Sequence, residues 1–260
     1  MMSACAVPPY TASRSRGIEP YTRVVALGNS DELLAADDEA KSLGARIAAR
    51  LREDILVGRL RAGTPLSQPQ LSHQYGTSRM PVRDAVRQMM NEGLAISTPA
   101  GAVVAALTAE DIEDAFTLLA FAHGQAARRA SLNATYAELT TLTDLQVAMA
   151  VAEGRGDLPE VVRLTWEFHR MINQVARAPK ILAVIRTVAM SVPMSYLLDF
   201  PDDAAKLVGE KGLVLDAIKE RDVDRAELLM RQHVLDAGSN VMGYFFERGL
   251  LSRATNSRSR

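Results

Sequence analysis

The 260-residue chain has one cysteine, one tryptophan and almost no net charge, with 30 Lys and Arg against 31 Asp and Glu. The single thiol, Cys5, excludes an internal disulfide and any multi-cysteine zinc site, and it fits a reducing, cytoplasmic setting. Hydrophobic residues at 48% and charged residues at 23% exclude wholesale disorder and a collagen-like chain. A membrane span needs about 20 mainly apolar residues. The most apolar stretch, Ile181 to Leu198, is broken by Arg186 and Pro193, so it reads as a buried core helix. The N-terminus lacks the apolar core of a secretory signal. Nucleophile elbow, Walker loop, dinucleotide fingerprint and HExxH motif are all missing. A charge of −1, if evenly spread, would disfavour DNA binding as well, because phosphates need a basic surface.

The charge is not evenly spread. Residues 1–41 carry a net −2, residues 42–107 a net +4, and residues 108–260 a net −3. The expected organisation is a tail over 1–41 with a helical end through Asp31–Lys41, a small basic head over 42–107, a helical body over 108–249 and a polar tail over 250–260. That partition suits a DNA-binding head on a separate sensing body.

Within the head, Leu43, Ile47, Leu51 and Ile55 recur at i,i+4 and define a first helix over 43–57, stopped by Gly58. Ser67 is placed to cap a second helix over 68–75, with Gln70 completing a capping box and Pro69 tolerated in the first turn. Gly76 ends that helix and Ser78 caps the third, Arg79–Asn91, which turns Val82, Val86 and Met89 or Met90 inward. Two short helices joined by a tight glycine turn form a helix-turn-helix. Weak alternation around Thr98-Pro99-Ala100-Gly101 predicts a two-stranded wing over 95–97 and 102–105. Arg79 and Arg83 share one face at the start of the third helix, where a major groove can be read through guanine O6 and N7. Thr77, Ser78 and the free amides beside them can hold a phosphate. Gly101, without a side chain, lets the wing tip approach a backbone closely.

These residues resemble the DNA-binding domain of the GntR family of bacterial transcription regulators. The family's small-residue cap, Arg, spacer and Pro-Val-Arg stand here as Ser78-Arg79-Met80-Pro81-Val82-Arg83, followed by Glu92-Gly93-Leu94. The resemblance implies a mainly α protein with an N-terminal winged helix-turn-helix and an all-α bundle. It also implies DNA contacts from Ser67, Thr77, Ser78, Arg79, Met80, Arg83 and Gly101, and a homodimer on a palindromic operator, with repression the commoner outcome. Pro99-Ala100 stand where the family usually has Asn and a basic residue, which puts phosphate contacts from the wing in doubt.

The body is similar to the FCD domain, the effector-binding bundle of the fatty-acid-regulator branch, nearer its VanR-like members. The markers are Phe168-His169, Asp216-Ala217-Ile218 and Arg231-Gln232-His233. Many FCD domains hold a divalent metal through one Asp and three His, and the metal binds a carboxylate effector. Here those positions read Thr165, His169, Lys211 and His233. Threonine is a poor ligand and a protonated lysine repels a cation, so zinc, nickel or manganese is disfavoured.

Two readings of Lys211 follow. Its ammonium replaces the metal's charge and engages an anionic effector with His169 and His233, or the pocket is degenerate and Lys211 points to solvent. A third arrangement has His123 joining His169 and His233 to rebuild a three-histidine site. Leu119, at the place of the family's usual Arg, points to a less anionic or more apolar ligand. Trp166 and Phe168 are expected in the core rather than stacked on a ligand, while Met190 and Met194 either line the pocket or fill the core. The partners expected are double-stranded DNA, a small-molecule effector and a second copy of the chain, with no membrane. The remaining alternatives are a body that only dimerises, and an enzyme built on His169, His233 and Thr165.

Overall fold

The structure, a computed structural model, describes residues 42–189 and 201–252. The expected helical end at Asp31–Lys41, and Pro193, Met190 and Met194, lie outside the described residues.

The head opens with α1 (Leu43–Leu56), α2 (Gln68–Gln74) and α3 (Arg79–Asn91), followed by β1 (Ala95–Thr98) and β2 (Gly101–Val104). Ile47 and Leu51 of α1 pack on Val82, Val86 and Met89 of α3, all buried. Two ends of the apolar stripe sit outside this core, for Leu43 is 41% exposed and Met90, at 36%, gives way to Met89. Ser42 caps α1 by accepting from the Ala45 amide. Ser67 and Ser78 occupy the N-cap positions of α2 and α3, yet neither side chain makes the expected cap bond, so the capping box with Gln70 does not form. The wing strands are antiparallel, with Ala95 opposite Val104 and Thr98 opposite Gly101. β1 starts where expected and runs one residue further, and β2 starts and ends one residue early. The loop before α2 also joins the wing, as Leu66 donates to Ala102 O and Val104 to Thr64 O, both at 2.9 Å.

One feature of the head joins distant sequence. Arg52 of α1 donates to both oxygens of Glu92, from Nε at 2.8 Å and Nη2 at 2.6 Å. Gln88 adds a third bond at 2.9 Å. The Glu of the Glu-Gly-Leu marker therefore clamps the end of α3 to α1, with both partners largely shielded from solvent.

Six helices make up the described body: α4 (Ala109–Asn133), α5 (Tyr136–Gly154), α6 (Leu158–Val175), α7 (Pro179–Ala189), α8 (Pro201–Lys219) and α9 (Val223–Glu247). Their starts are written in the sequence. Thr108 with Asp111, and Thr135 with Glu138, form reciprocal capping boxes, and Asp157 and Asp222 cap α6 and α9. The long helices α4 and α9 pack along each other as the spine, with α6 and α8 closing one side. Gly238 permits their close approach, because a Cβ there would lie 2.6 Å from Cγ of Phe116. Helix α7 is not the fully buried helix expected from its apolar run. Ile185 is buried while Val184 is 44% exposed, so it presents one face only.

Residues 250–252, expected to begin a tail, instead fold back on the head. Gly249, at φ +59, turns the helix end, and the Leu250 amide returns to Phe245 O at 3.0 Å. Leu251 then pairs in parallel with Leu107, and the Ser252 amide donates to Leu107 O at 2.7 Å. Leu250 packs so closely over Gly58 that no side chain could stand there. Residues 250–252 thus strap the far end of α9 to the head.

Candidate DNA interface and effector pocket

At the head, α3 presents its first turn to solvent. Ser78, Arg79, Met80 and Arg83 are exposed and Thr77 is half-buried, while Val82 and Ala85 on the opposite face are fully buried. The sequence folds this way because Val82, Val86 and Met89 recur on one side and the arginines on the other. Arg83 Nη2 rests 2.8 Å from Met80 Sδ, which aligns the guanidinium with the neighbouring turn. The Ser78 hydroxyl makes no bond to its own helix, leaving that hydroxyl and the first amides of α3 for an outside acceptor. Ser67 is half-buried at the start of α2. Gly101 sits at the wing tip at φ +120, with nothing within 4 Å of where a Cβ would stand.

The second site lies inside the body. A cavity of about 80 Å³ is lined by Leu119 and His123 of α4, Thr165 and His169 of α6, Lys211 of α8 and His233 of α9. All the pocket positions taken from the resemblance converge there, including His123. Its ring centroid is 5.0 Å from that of His169, which in turn stacks 5.3 Å from His233. Lys211 is fully buried, so the reading that it points to solvent is overturned. Its Nζ donates to Leu207 O at 3.3 Å, one turn back on its own helix. Among the described residues no carboxylate pairs with it. Trp166, expected in the core, lines the cavity and its Nε1 is buried without a partner among the described residues. Phe168 is core, as expected.

Glu210 was not legible as a site residue. It precedes Lys211, but only the packing of α8 on α9 brings its Oε2 to 2.8 Å from His233 Nδ1. Burial acts to raise its carboxyl, but the His233 bond and the charges of Lys206 and Lys211 hold it below the usual range. Burial, with the charge of Lys211, brings His233 down to about 4. Burial with the nearby histidines does the same for His123, to about 4, and takes His169 well below its ordinary value. Burial alone brings Lys211 down to about 7, against a weaker opposing pull from Glu210. With neutral rings, His233 donates Nδ1–H to ionised Glu210, and its Nε2 accepts from His169 Nε2–H at 3.3 Å. That order leaves His169 Nδ1 as a buried acceptor, with no partner among the described residues.

A divalent ion does not fit this donor set. Ring nitrogens that bind a metal have their other nitrogen anchored by a carboxylate or carbonyl. Glu210 anchors His233, but Nδ1 of both His169 and His123 is orphaned among the described residues. Thr165 Oγ1 turns to Met149 Sδ at 3.8 Å. Among the described residues no group of three or more His, Cys, Asp or Glu is placed to hold a metal.

A winged helix-turn-helix joined to an all-helical bundle defines a two-part type of DNA-binding regulator. Known proteins agree. Residues 43–104 match the bacterial regulatory proteins of the gntR family and residues 123–236 match the FCD domain. The chain belongs to the GntR family, with an FCD body, and is a DNA-binding transcription regulator rather than an enzyme. It is 25% identical over 194 residues to the HTH-type transcriptional repressor RspR of Escherichia coli K12, covering 74% of this chain and 85% of that one. It is 28% identical to a probable D-xylose utilization operon transcriptional repressor of Paenarthrobacter nicotinovorans, covering 72% and 85%. In fold it is similar to E. coli McbR/YncC, with a TM-score of 0.63 at 20% identity over 79% of this chain and 99% of that one. No described helix is long and apolar enough to cross a membrane.

Proposed function

We propose that the chain is a homodimeric, cytoplasmic repressor that binds a palindromic operator and is released or retained by a small carboxylate held in the body cavity. The head over 42–107 reads DNA and the body over 108–249 senses the effector and dimerises. Arg79 and Arg83 contact base edges, Met80 packs beside them, and Thr77, Ser78, Ser67 and Gly101 lie against the phosphate backbone. A single recognition helix spans only a few base pairs, so two-fold pairing of heads is the economical route to specificity.

The observation that carries the effector reading is the buried amine of Lys211, enclosed with His169 and His233 and paired with no carboxylate among the described residues. A buried cation without a counter-ion is costly, and an incoming anion relieves that cost. Lys211 thus stands where the family's metal would carry positive charge, and Leu119 and Thr165 supply a wall that suits a small ligand. His233 sits on α9, whose far end is strapped to the head, so a ligand that favours one setting of α9 favours one setting of the heads. Thermal-shift screening of small carboxylates against wild type and Lys211→Met tests the reading. Shifts present in wild type and lost in the variant support it, and equal shifts in both remove it.

A further inference from the structure

We infer that Lys211 captures its effector covalently, its Nζ condensing with the keto carbon of a small 2-oxo carboxylate to form a protonated imine within the body cavity. The inference rests on the reading of that cavity as the effector site, and names the ligand class and the bond formed.

The geometry isolates a primary amine. Lys211 is fully buried on α8, lines the cavity, and bonds only to Leu207 O among its described contacts. The nearest acid in sequence, Glu210, is already committed to His233 and lies 3.6 Å from Lys206. A lysine in an apolar enclosure keeps a share of free base at neutral pH, and that free base is the nucleophile of Schiff-base chemistry. Burial lowers Lys211 to about 7, in keeping with such a role.

The cavity also selects which carbonyl compound can react. Condensation leaves a cation on nitrogen, and the described carboxylate whose charge reaches it, Glu210, is bonded to His233 instead. The ligand must bring its own negative charge, and a carboxylate next to the keto carbon places that charge beside the new iminium. Trp166 Nε1–H, buried without a described partner on the same cavity, is a donor suited to that carboxylate. His169 Nδ1 is a matching free acceptor for the hydroxyl of the carbinolamine. A volume of about 80 Å³ has room for a ligand of a few carbons.

The step balances without an oxidant or reductant. The Nζ lone pair forms a C–N bond as the carbonyl π pair moves to oxygen. A proton passes from nitrogen to that oxygen by way of His169 Nδ1, which takes it up and gives it back. A second proton, drawn from solvent, lets the oxygen leave as water while the nitrogen lone pair forms the C=N bond. From the neutral amine the net change is one carbonyl oxygen lost as water and one proton gained.

The test treats the full chain with glyoxylate, pyruvate or 2-oxobutyrate in the presence of cyanoborohydride, and maps adducts by peptide mass spectrometry. Calorimetry with lactate, which lacks the keto carbon, runs beside it. The expected result is a near-stoichiometric reduced adduct on Lys211, absent in Lys211→Arg and Lys211→Met, with an oxo acid bound at least about tenfold tighter than lactate. No adduct, or one spread equally over exposed lysines such as Lys206, overturns the covalent step. If lactate and pyruvate then bind equally at a site lost in Lys211→Met, ionic sensing stands and only the imine falls. If neither the oxo acids nor lactate bind, the imine and the carboxylate reading of the cavity fall together, while the assignment as a DNA-binding regulator is untouched.

Discussion

Oε2 of Glu210 lies 2.8 Å from Nδ1 of His233, across the contact between α8 and α9. This one bond fixes the tautomer of His233, and through Nε2 it orders His169 as well. The carboxylate acts at the wall of the pocket without being needed in it.

Glu210→Gln should therefore weaken the pocket without emptying it. A charge-assisted bond to a buried ring is worth roughly 1.5–3 kcal/mol. Urea denaturation should show a loss of that order, and nitrogen-15 spectra should show His233 leaving the single Nδ1–H form. An unchanged histidine spectrum would remove Glu210 from this role.

Lys211 should give the stability curve a slope in alkali. Burial lowers its folded value from the ordinary 10.5 to about 7. Between those values the unfolded chain holds the proton and the folded chain does not, so this group's contribution to stability rises as pH climbs from about 7 to 10.5, and is flat below. Lys211→Met should lose that slope and, lacking a buried uncompensated amine, be more stable than wild type at pH 7 by up to a few kcal/mol. Paired melts of the two proteins at several pH values measure the difference directly.

Arg79→Ala and Arg83→Ala should each cost about 1–3 kcal/mol of operator affinity, roughly 5- to 150-fold, and together abolish specific binding. Both side chains are exposed, so circular dichroism and melting should not change. Wild-type footprints from both variants would overturn the interface.

Glu92→Ala leaves Arg52 without its bidentate partner in a largely shielded position. The head should lose about 2–4 kcal/mol and melt before the body, seen as a split calorimetric transition. Gln substitution, which keeps one acceptor, should restore part of it.

Leu250→Asp should release the strap. A carboxylate cannot sit in the apolar contact over Gly58, so Ser252 and Leu251 lose their hold on Leu107. Limited proteolysis should then cut near Leu107, where the wild-type chain resists. Equal resistance would show that the head is held by other contacts.

Much of the head was legible because its determinants are local. The i,i+4 stripe of α1, the N-cap positions of Ser67 and Ser78, and the Arg79-to-Arg83 spacing are all set within a few residues. One local reading fails, for Gln70 stays exposed instead of closing a box on Ser67. The body's breaks were visible as Thr, Asp, Gly and Pro, yet the pocket was only half readable. His123 and Leu119 share a face by spacing, but Glu210 meets His233, and the Trp166 donor meets the cavity, through packing between helices that no periodicity reports.

By itself, then, the sequence determined the helices, the wing, the basic head behind a net charge of −1, and the loss of two family ligands at Thr165 and Lys211. Each of these depends on residue type and short spacing. Tertiary structure alone decided that Lys211 is buried rather than solvated, that three histidines gather around it, that Glu210 orients one of them, and that residues 250–252 close back on the head. Those outcomes depend on how α4, α6, α8 and α9 pack. Burial sets the solvation free energy of an amine or an imidazole, and burial is a property of the assembled core that no short segment of the chain encodes.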